Sequence, residues 1–342
     1  MHKFYGIMGA IGCFFGSVLP LHAQGQGQTL AKVRERGELH CGVGTGLAGF
    51  SLPDAAGVWQ GLDADFCRAL AASVLGDSNK VKFIPLTAKD RFAAIQSGQA
   101  DLLARTTTWT LSRDTSNGLT FRAINFYDGQ GFLVRNSDGI KSAMDLNGAS
   151  ICLTQGSTAE LNAADFFRAH NMTYNPVTFA TSSETVKAYE ARRCDSYTND
   201  SSALYGERLR MANPDEHVVL PEIISREPLA IGTVQGDDQW SDLVTWVHFA
   251  MLTAESLGIT RENVDEKKAS DNPEVRRLLG TEGNIGGMLG VSNDWAYNAI
   301  KAVGNYGEVF DRNLGMASNL KIERGQNALW NNGGLQYAPP IR

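Results

Sequence analysis

Residues 101–121, DLLARTTTWTLSRDTSNGLTF, decide how the rest of the chain is read. Leu102 to Ala104 is a short apolar run of the kind a covered sheet buries, and it leads into Thr106, Thr107, Thr108 and Thr110 before reaching Arg113 beside Asp114. A strand that ends in clustered hydroxyls and then offers a guanidinium is suited to a small anion. Arginine alone presents a planar fork matching both oxygens of a carboxylate. The competing expectation is that Arg113 pairs with Asp114 or Asp138 at the surface, where ion pairs contribute little.

On either side of this stretch the pattern alternates strand and helix. Glu38 to Val43 predicts a strand, and Asp63 opens a helix to Leu75 whose Phe66, Cys67, Leu70, Ala71 and Val74 form one apolar stripe closed by Gly76. Val81 to Leu86 predicts the next strand. Thr87 and Asp90 have the spacing of a capping box ahead of a helix bearing Phe92 and Ile95, ended by Gly98. A second set begins at Phe132 to Arg135 and continues with strand Ala149 to Leu153, turn 155–158, helix Ala159 to His170, a strand ending at Phe179, helix Ser183 to Arg193 and strand Cys194 to Thr198. Leu229 to Val234 predicts a last strand, followed by a long helix with Trp240, Leu243, Val247, Met251 and Ala254 at core spacing. Beyond Thr260 the pattern is helical but loose, with Pro273 in a first turn and Ser292 capping the helix of Trp295, Ala299 and Val303; Gly325 to Arg342 predicts an extended surface tail. The rhythm implies an α/β fold with parallel sheets covered on both faces.

The first 23 residues predict an export signal: Lys3, an apolar run from Ile7 to Leu19, and Leu21-His22-Ala23 as a cleavage site before Gln24. The run is short for a membrane span and is broken by Gly12, Gly16 and Pro20. The whole chain carries 31 Lys+Arg against 37 Asp+Glu, and losing Lys3 with the signal takes the net charge from −6 to −7. That sign argues against nucleic acid and anionic membrane as partners. The 319 residues after Ala23 suffice for two lobes. Cys41, Cys67, Cys152 and Cys194 remain in the exported chain, an even set with three possible pairings and no C-x-x-C spacing.

Gly44, Gly46 and Gly49 fit a dinucleotide fingerprint with Asp63 downstream, but Phe50-Ser51-Leu52-Pro53-Asp54 reads as loop where a helix should open. The glycines are expected to let backbone pass close to a small ligand instead. Gln155-Gly156-Ser157-Thr158 lies between a strand and a helix, so free N–H groups and the dipole favour an anion there, alongside ordinary capping by Ser157 or Thr158. Asp200 likewise follows a strand, where it serves either a ligand or a helix cap. His40, His170, His217 and His248 lack metal partners at helical spacing and no serine sits in an elbow motif, so no catalytic residue, metal or cofactor is expected.

Four stretches carry a family likeness: GLDADFC at 61–67, TTWTLSRD at 107–114, RCDSYTND at 193–200 and LPEIIS at 220–225. From about Thr29 to Arg342 the chain resembles the periplasmic substrate-binding proteins of polar amino-acid ABC transporters, above all the general L-amino-acid binders. The resemblance implies a type II-like periplasmic binding protein fold, two α/β lobes joined by two crossing hinge strands. One lobe is expected to comprise 29–128 and 235–342, and the other 129–234. It further implies Arg113 on the carboxylate of an L-amino acid, Thr106 and Thr108 beside it, Ser157 and Thr158 meeting the same carboxylate from the second lobe, Asp200 on the ammonium, and Trp59 against the side chain. Thr106 stands where close members have asparagine and Ser157 where they have threonine. A periplasmic monomer that delivers its ligand to a membrane-embedded ABC-transporter permease is expected, with a periplasmic dehydratase of an aromatic amino-acid precursor as the alternative on the same fold. With two lobes that must close, disulfides Cys41–Cys67 and Cys152–Cys194 are expected, because either other pairing ties the lobes together.

Overall fold

The computed structural model describes Met1, His2 and residues 27–342. The apolar run of the export signal and its cleavage site at Ala23 lie outside the described residues. The strands are β1 (Leu39–Val43), the hairpin of β2 (Leu52–Pro53) and β3 (Trp59–Gln60), β4 (Val81–Pro85), β5 (Leu102–Thr108), β6 (Leu119–Asp128), β7 (Gln130–Arg135), β8 (Ser150–Thr154), β9 (Asn175–Phe179), β10 (Ser196–Asp200), β11 (His217–Val219) and β12 (Glu227–Val234). Apart from the β2–β3 hairpin, these strands of the described residues form two five-stranded sheets, β4-β1-β5-β12-β6 and β11-β7-β10-β8-β9.

Neither sheet is wholly parallel, contrary to the rhythm of the sequence. β1 runs parallel to β4 and β5, and β8 parallel to β9 and β10. β12, however, is antiparallel to β5 and β6, and β7 is antiparallel to β10 and β11. These exceptions are the strands that pass between lobes. β6 and β7 are nearly one extended run broken at Gly129, and β12 brings the chain back. A division at 234 assigns β12 to the second lobe, yet its ladder to β5 and β6 places it in the first sheet. At the crossing, a Cβ on Gly129 would stand 2.2 Å from Ile223 Cγ2 and 2.9 Å from the Ser225 carbonyl, so the two connections pass at a distance only glycine permits.

Each lobe has its own core. In the first, helices Leu62–Leu75, Asp238–Ser256 and Trp295–Val303 bury Phe66, Leu70, Trp240, Val247 and Trp295 against the sheet. The long helix starts at Asp237, whose carboxylate accepts the Trp240 N–H at 3.2 Å and the Thr29 N–H at 2.8 Å, anchoring the N-terminal helix Gln28–Arg36. In the second lobe Phe132, Ile151, Leu153 and Phe167 pack on one side of the sheet and Leu133, Tyr189 and Tyr197 on the other. Cys41 is bridged to Cys67 with Cα atoms 6.2 Å apart, and Cys152 to Cys194 at 5.6 Å, one disulfide in each lobe.

Three local expectations change. Asp90 N–H donates to Thr87 Oγ1 at 3.1 Å, but the Asp90 carboxylate takes the Thr87 hydroxyl rather than its N–H, which leaves half a capping box. Ser292 makes no side-chain cap; Asp294 holds the cap position of the helix. The tail is more than a surface strap, because Leu329 and Ile341 enter the first core and Asn327 grips Tyr127 by both its N–H (2.7 Å) and its carbonyl (3.0 Å).

Candidate functional site

A cleft opens where the C-terminal ends of β1, β5, β8 and β10 converge. From the first lobe β5 supplies its hydroxyls. Leu102, Leu103 and Ala104 are fully buried and anchor the strand, and Thr106 then adopts a φ of 43°. That conformation is costly for a β-branched residue and persists only when its surroundings enforce it. Here the Thr106 N–H donates to Asp63 Oδ2 at 3.2 Å, while Asn125 Nδ2 donates to the other oxygen at 3.3 Å. Asp63 is buried at the start of its helix, and burial raises its carboxyl to about 7.

Arg113 does not lie on the surface. Thr110 caps the short helix Leu111–Ser116 by accepting the Arg113 N–H, and the guanidinium turns inward, donating from Nη1 to the Thr108 carbonyl at 2.9 Å and lying 5.7 Å from the Phe92 ring centre. It is 7% exposed. Asp138 pairs instead with Arg135 at 2.9 Å, and among the described residues Arg113 forms no ion pair. Burial pulls its pKa below the ordinary value, opposed by Glu227 and Asp200.

Two further arginines line the same cleft. Arg91 is almost wholly buried, donates to Thr107 Oγ1 at 3.3 Å and to the Gly156 carbonyl of the other lobe at 3.4 Å, and among the described residues its Nε has no partner. Burial, then Arg105 and Arg113, push it well below the usual guanidinium range. Arg105 donates from Nε to the Leu86 carbonyl at 3.0 Å, and burial brings its pKa down to about 10. Both escaped the sequence reading. Arg91 begins a short helix, where a charged residue carries no signal of a site; the one available signal for Arg105 is a charge inside an otherwise apolar and hydroxylated strand.

The second lobe contributes Ser157 and Thr158 at the start of helix Thr158–Ala169 and Asp200 at the end of β10. No side chain caps that helix, because the Ser157 hydroxyl donates back to the Thr154 carbonyl at 2.7 Å. Asp200 occupies the cap position of helix Ser201–Arg208 without capping it. Asp128, from the end of β6, takes the Ser202 N–H and hydroxyl in its place. Burial, reinforced by Asp128 and Glu227, holds the Asp200 carboxyl well above the usual carboxylate range, against Arg113 and Arg91.

Thr106, Thr108, Arg113, Ser157, Thr158 and Asp200 are therefore brought together, and Trp59 is not. Trp59 lies in the β2–β3 hairpin with its ring stacked on Phe83 at 5.7 Å, and its carbonyl accepts from Arg68. Leu47, Ala88 and Ala203 supply the apolar wall. Gly44, Thr45 and Gly46 line the cleft too, and no helix opens at Gly49: the next begins at Leu62. The lobes touch around the cleft, with Thr108 Oγ1 3.4 Å from Thr158 Oγ1 and Arg210 Nη1 donating to the Gly46 carbonyl at 3.4 Å.

Residues 39–314 match the family model for bacterial extracellular solute-binding proteins, family 3. The chain belongs to that family. This solute-binding protein is 56% identical over 316 residues to the general L-amino acid-binding periplasmic protein of Rhizobium johnstonii, covering 92% of this chain and 93% of the relative. It is 50% identical over 333 residues to the glutamate/glutamine/aspartate/asparagine-binding protein of Rhodobacter capsulatus, covering 96% and 98%. A solved periplasmic binding protein of an ABC transporter from Brucella ovis, with glutathione bound, superposes with a TM-score of 0.90 at 57% identity over 92% of this chain and 99% of that one. The two-lobe α/β fold is thus that of solved relatives of this solute-binding protein.

Proposed function

We propose that this protein is a periplasmic receptor that captures an L-amino acid between its lobes and delivers it to a membrane-embedded ABC-transporter permease, without chemistry. One observation carries the reading: Arg113 of the first lobe and Asp200 of the second line one cleft, and among the described residues neither forms an ion pair. A zwitterion needs one fixed cation and one fixed anion, since burying either of its charges unpaired costs several kcal/mol. Thr106 and the uncapped helix start at Ser157 and Thr158 add neutral donors for the carboxylate. The Rhizobium johnstonii relative is named as a periplasmic binder of L-amino acids and the Rhodobacter capsulatus relative as a binder of glutamate, glutamine, aspartate and asparagine, which supports the same assignment.

Arg91 and Arg105 narrow the ligand class. Among the described residues three guanidiniums and a single carboxylate line the cleft, so a ligand with a second carboxylate offsets charge that a neutral side chain leaves uncompensated. Glutamate and aspartate are expected to bind more tightly than glutamine and asparagine. A thermal-shift scan of the twenty amino acids and glutathione, followed by calorimetry on the best pair, tests both levels, because each binder raises stability by mass action. No shift with any of them would count against the receptor reading, and glutamine binding as tightly as glutamate would count against the acidic preference alone.

A further inference from the structure

Glu227, the first residue of β12, is 1% exposed and is absent from the cleft wall. Its carboxylate nevertheless takes four hydrogen bonds. One oxygen accepts from Thr108 Oγ1 at 2.6 Å and Thr158 Oγ1 at 2.9 Å, and the other from Ser225 Oγ at 2.6 Å and Asn162 Nδ2 at 2.6 Å. That fills the acceptor capacity of a carboxylate. Thr108 belongs to the first sheet and Ser225 to the return crossing, whereas Thr158 and Asn162 stand four residues apart on one face of a second-lobe helix. Thr108 and Thr158 also donate their hydroxyl protons here, so toward a ligand they present lone pairs.

We propose that Glu227 is an interlobe latch: a positioning residue that favours the closed lobes through Thr158 and Asn162 without touching the ligand. The proposal rests on the receptor reading above. A group that raises the population of the binding-competent form divides every ligand's dissociation constant by the same factor, whatever the side chain bound. A group that reads the ligand changes the ratio between ligands instead.

Glu227→Gln keeps the shape but replaces one accepting oxygen with an NH2 that opposes the donors of Asn162 and Ser225 or of the two threonines. Asn162→Ala removes one second-lobe arm and leaves the carboxylate with three donors, which serves if the first variant fails to fold. Calorimetry on the two tightest amino acids, and small-angle scattering with and without ligand, provide the readout. Glu227→Gln is expected to weaken both ligands equally, by roughly 10-fold to 100-fold for hydrogen bonds to a charged group, with a more open ligand-free shape that saturating ligand restores. Asn162→Ala should move the same way by less. Unchanged affinities, a changed ratio between the two ligands, or an unchanged ligand-free shape would overturn the latch. If the unaltered protein bound no amino acid the receptor reading would fail, while the ligand-free scattering comparison would still decide for or against the latch.

Discussion

Arg113 and Asp200 reach the cleft by different local means, and each is exposed to a specific test. Arg113 is turned inward by a capped helical turn and a bond to the Thr108 carbonyl, so Arg113→Ala leaves the strand and helix intact. It should weaken binding of the best amino acid by about 2–5 kcal/mol, the cost of leaving a buried carboxylate unpaired, and Asp200→Ala should act similarly through the ammonium. Calorimetry on folded variants decides the matter, and an unchanged affinity for Arg113→Ala would remove the carboxylate assignment. Asp63 allows a pH prediction. Its carboxyl rises from 3.8 to about 7 through burial, so the native state holds this proton more tightly than the unfolded chain does. Its contribution to stability is therefore complete below the unfolded value and is lost as pH rises toward about 7. Urea denaturation across that window should show a shallower loss for Asp63→Asn, which keeps an oxygen for the Thr106 N–H but does not titrate.

Among the elements, the two interlobe connections have the least tolerance. The Cβ of Gly129→Ala meets a backbone carbonyl at 2.9 Å as well as the Ile223 side chain. Overpacking of this kind costs about 1–3 kcal/mol. At Gly131, two residues on in β7, an added Cβ finds nothing nearer than 3.6 Å. Gly131→Ala should then be neutral or stabilising by up to about 1 kcal/mol, since it restricts the unfolded chain. Equal losses of denaturation midpoint for the two alanines would show that the crossing is not the constraint. Asn327 belongs to the same region, because its two bonds to Tyr127 fasten β6 one residue before Asp128.

At the scale of the whole molecule, both disulfides lie within a lobe, so neither would oppose the closure that the proposed function requires. Replacing Cys152 and Cys194 together by alanine should lower stability by about 2–4 kcal/mol. Ligand-induced compaction in small-angle scattering should survive in the folded variant. A loss of compaction at temperatures where the variant is folded would mean that the bridge takes part in closure. On the proposed reading, a ligand held by Arg113 and Asp200 touches both lobes only when they are shut, and so supplies the differential contact that shifts the population toward the closed form.

The sequence by itself determined the strand and helix alternation, the apolar stripes and the even set of exported cysteines, because periodicity and composition are local properties of a chain. It also put Asp200 at the end of a strand and Arg113 in the segment that follows one, since the change from an apolar run to polar residues marks where a strand stops. Only the tertiary structure decided that Trp59 stacks on Phe83 and does not line the cleft, because the placement of a hairpin depends on what it packs against. The burial of Arg91 has the same cause: nothing within a few residues distinguishes a guanidinium that will be buried in a cleft from one on a solvated face, and for Arg105 the lone charge within its strand is the single local sign. β12 read correctly as a strand, but its place beside β5 and β6 is a long-range pairing that no local pattern records. Glu227, between a crossing loop and that strand, acquires its four donors from segments up to 119 residues away, and a carboxylate gains such a role only when the fold removes water and puts those hydroxyls in its place.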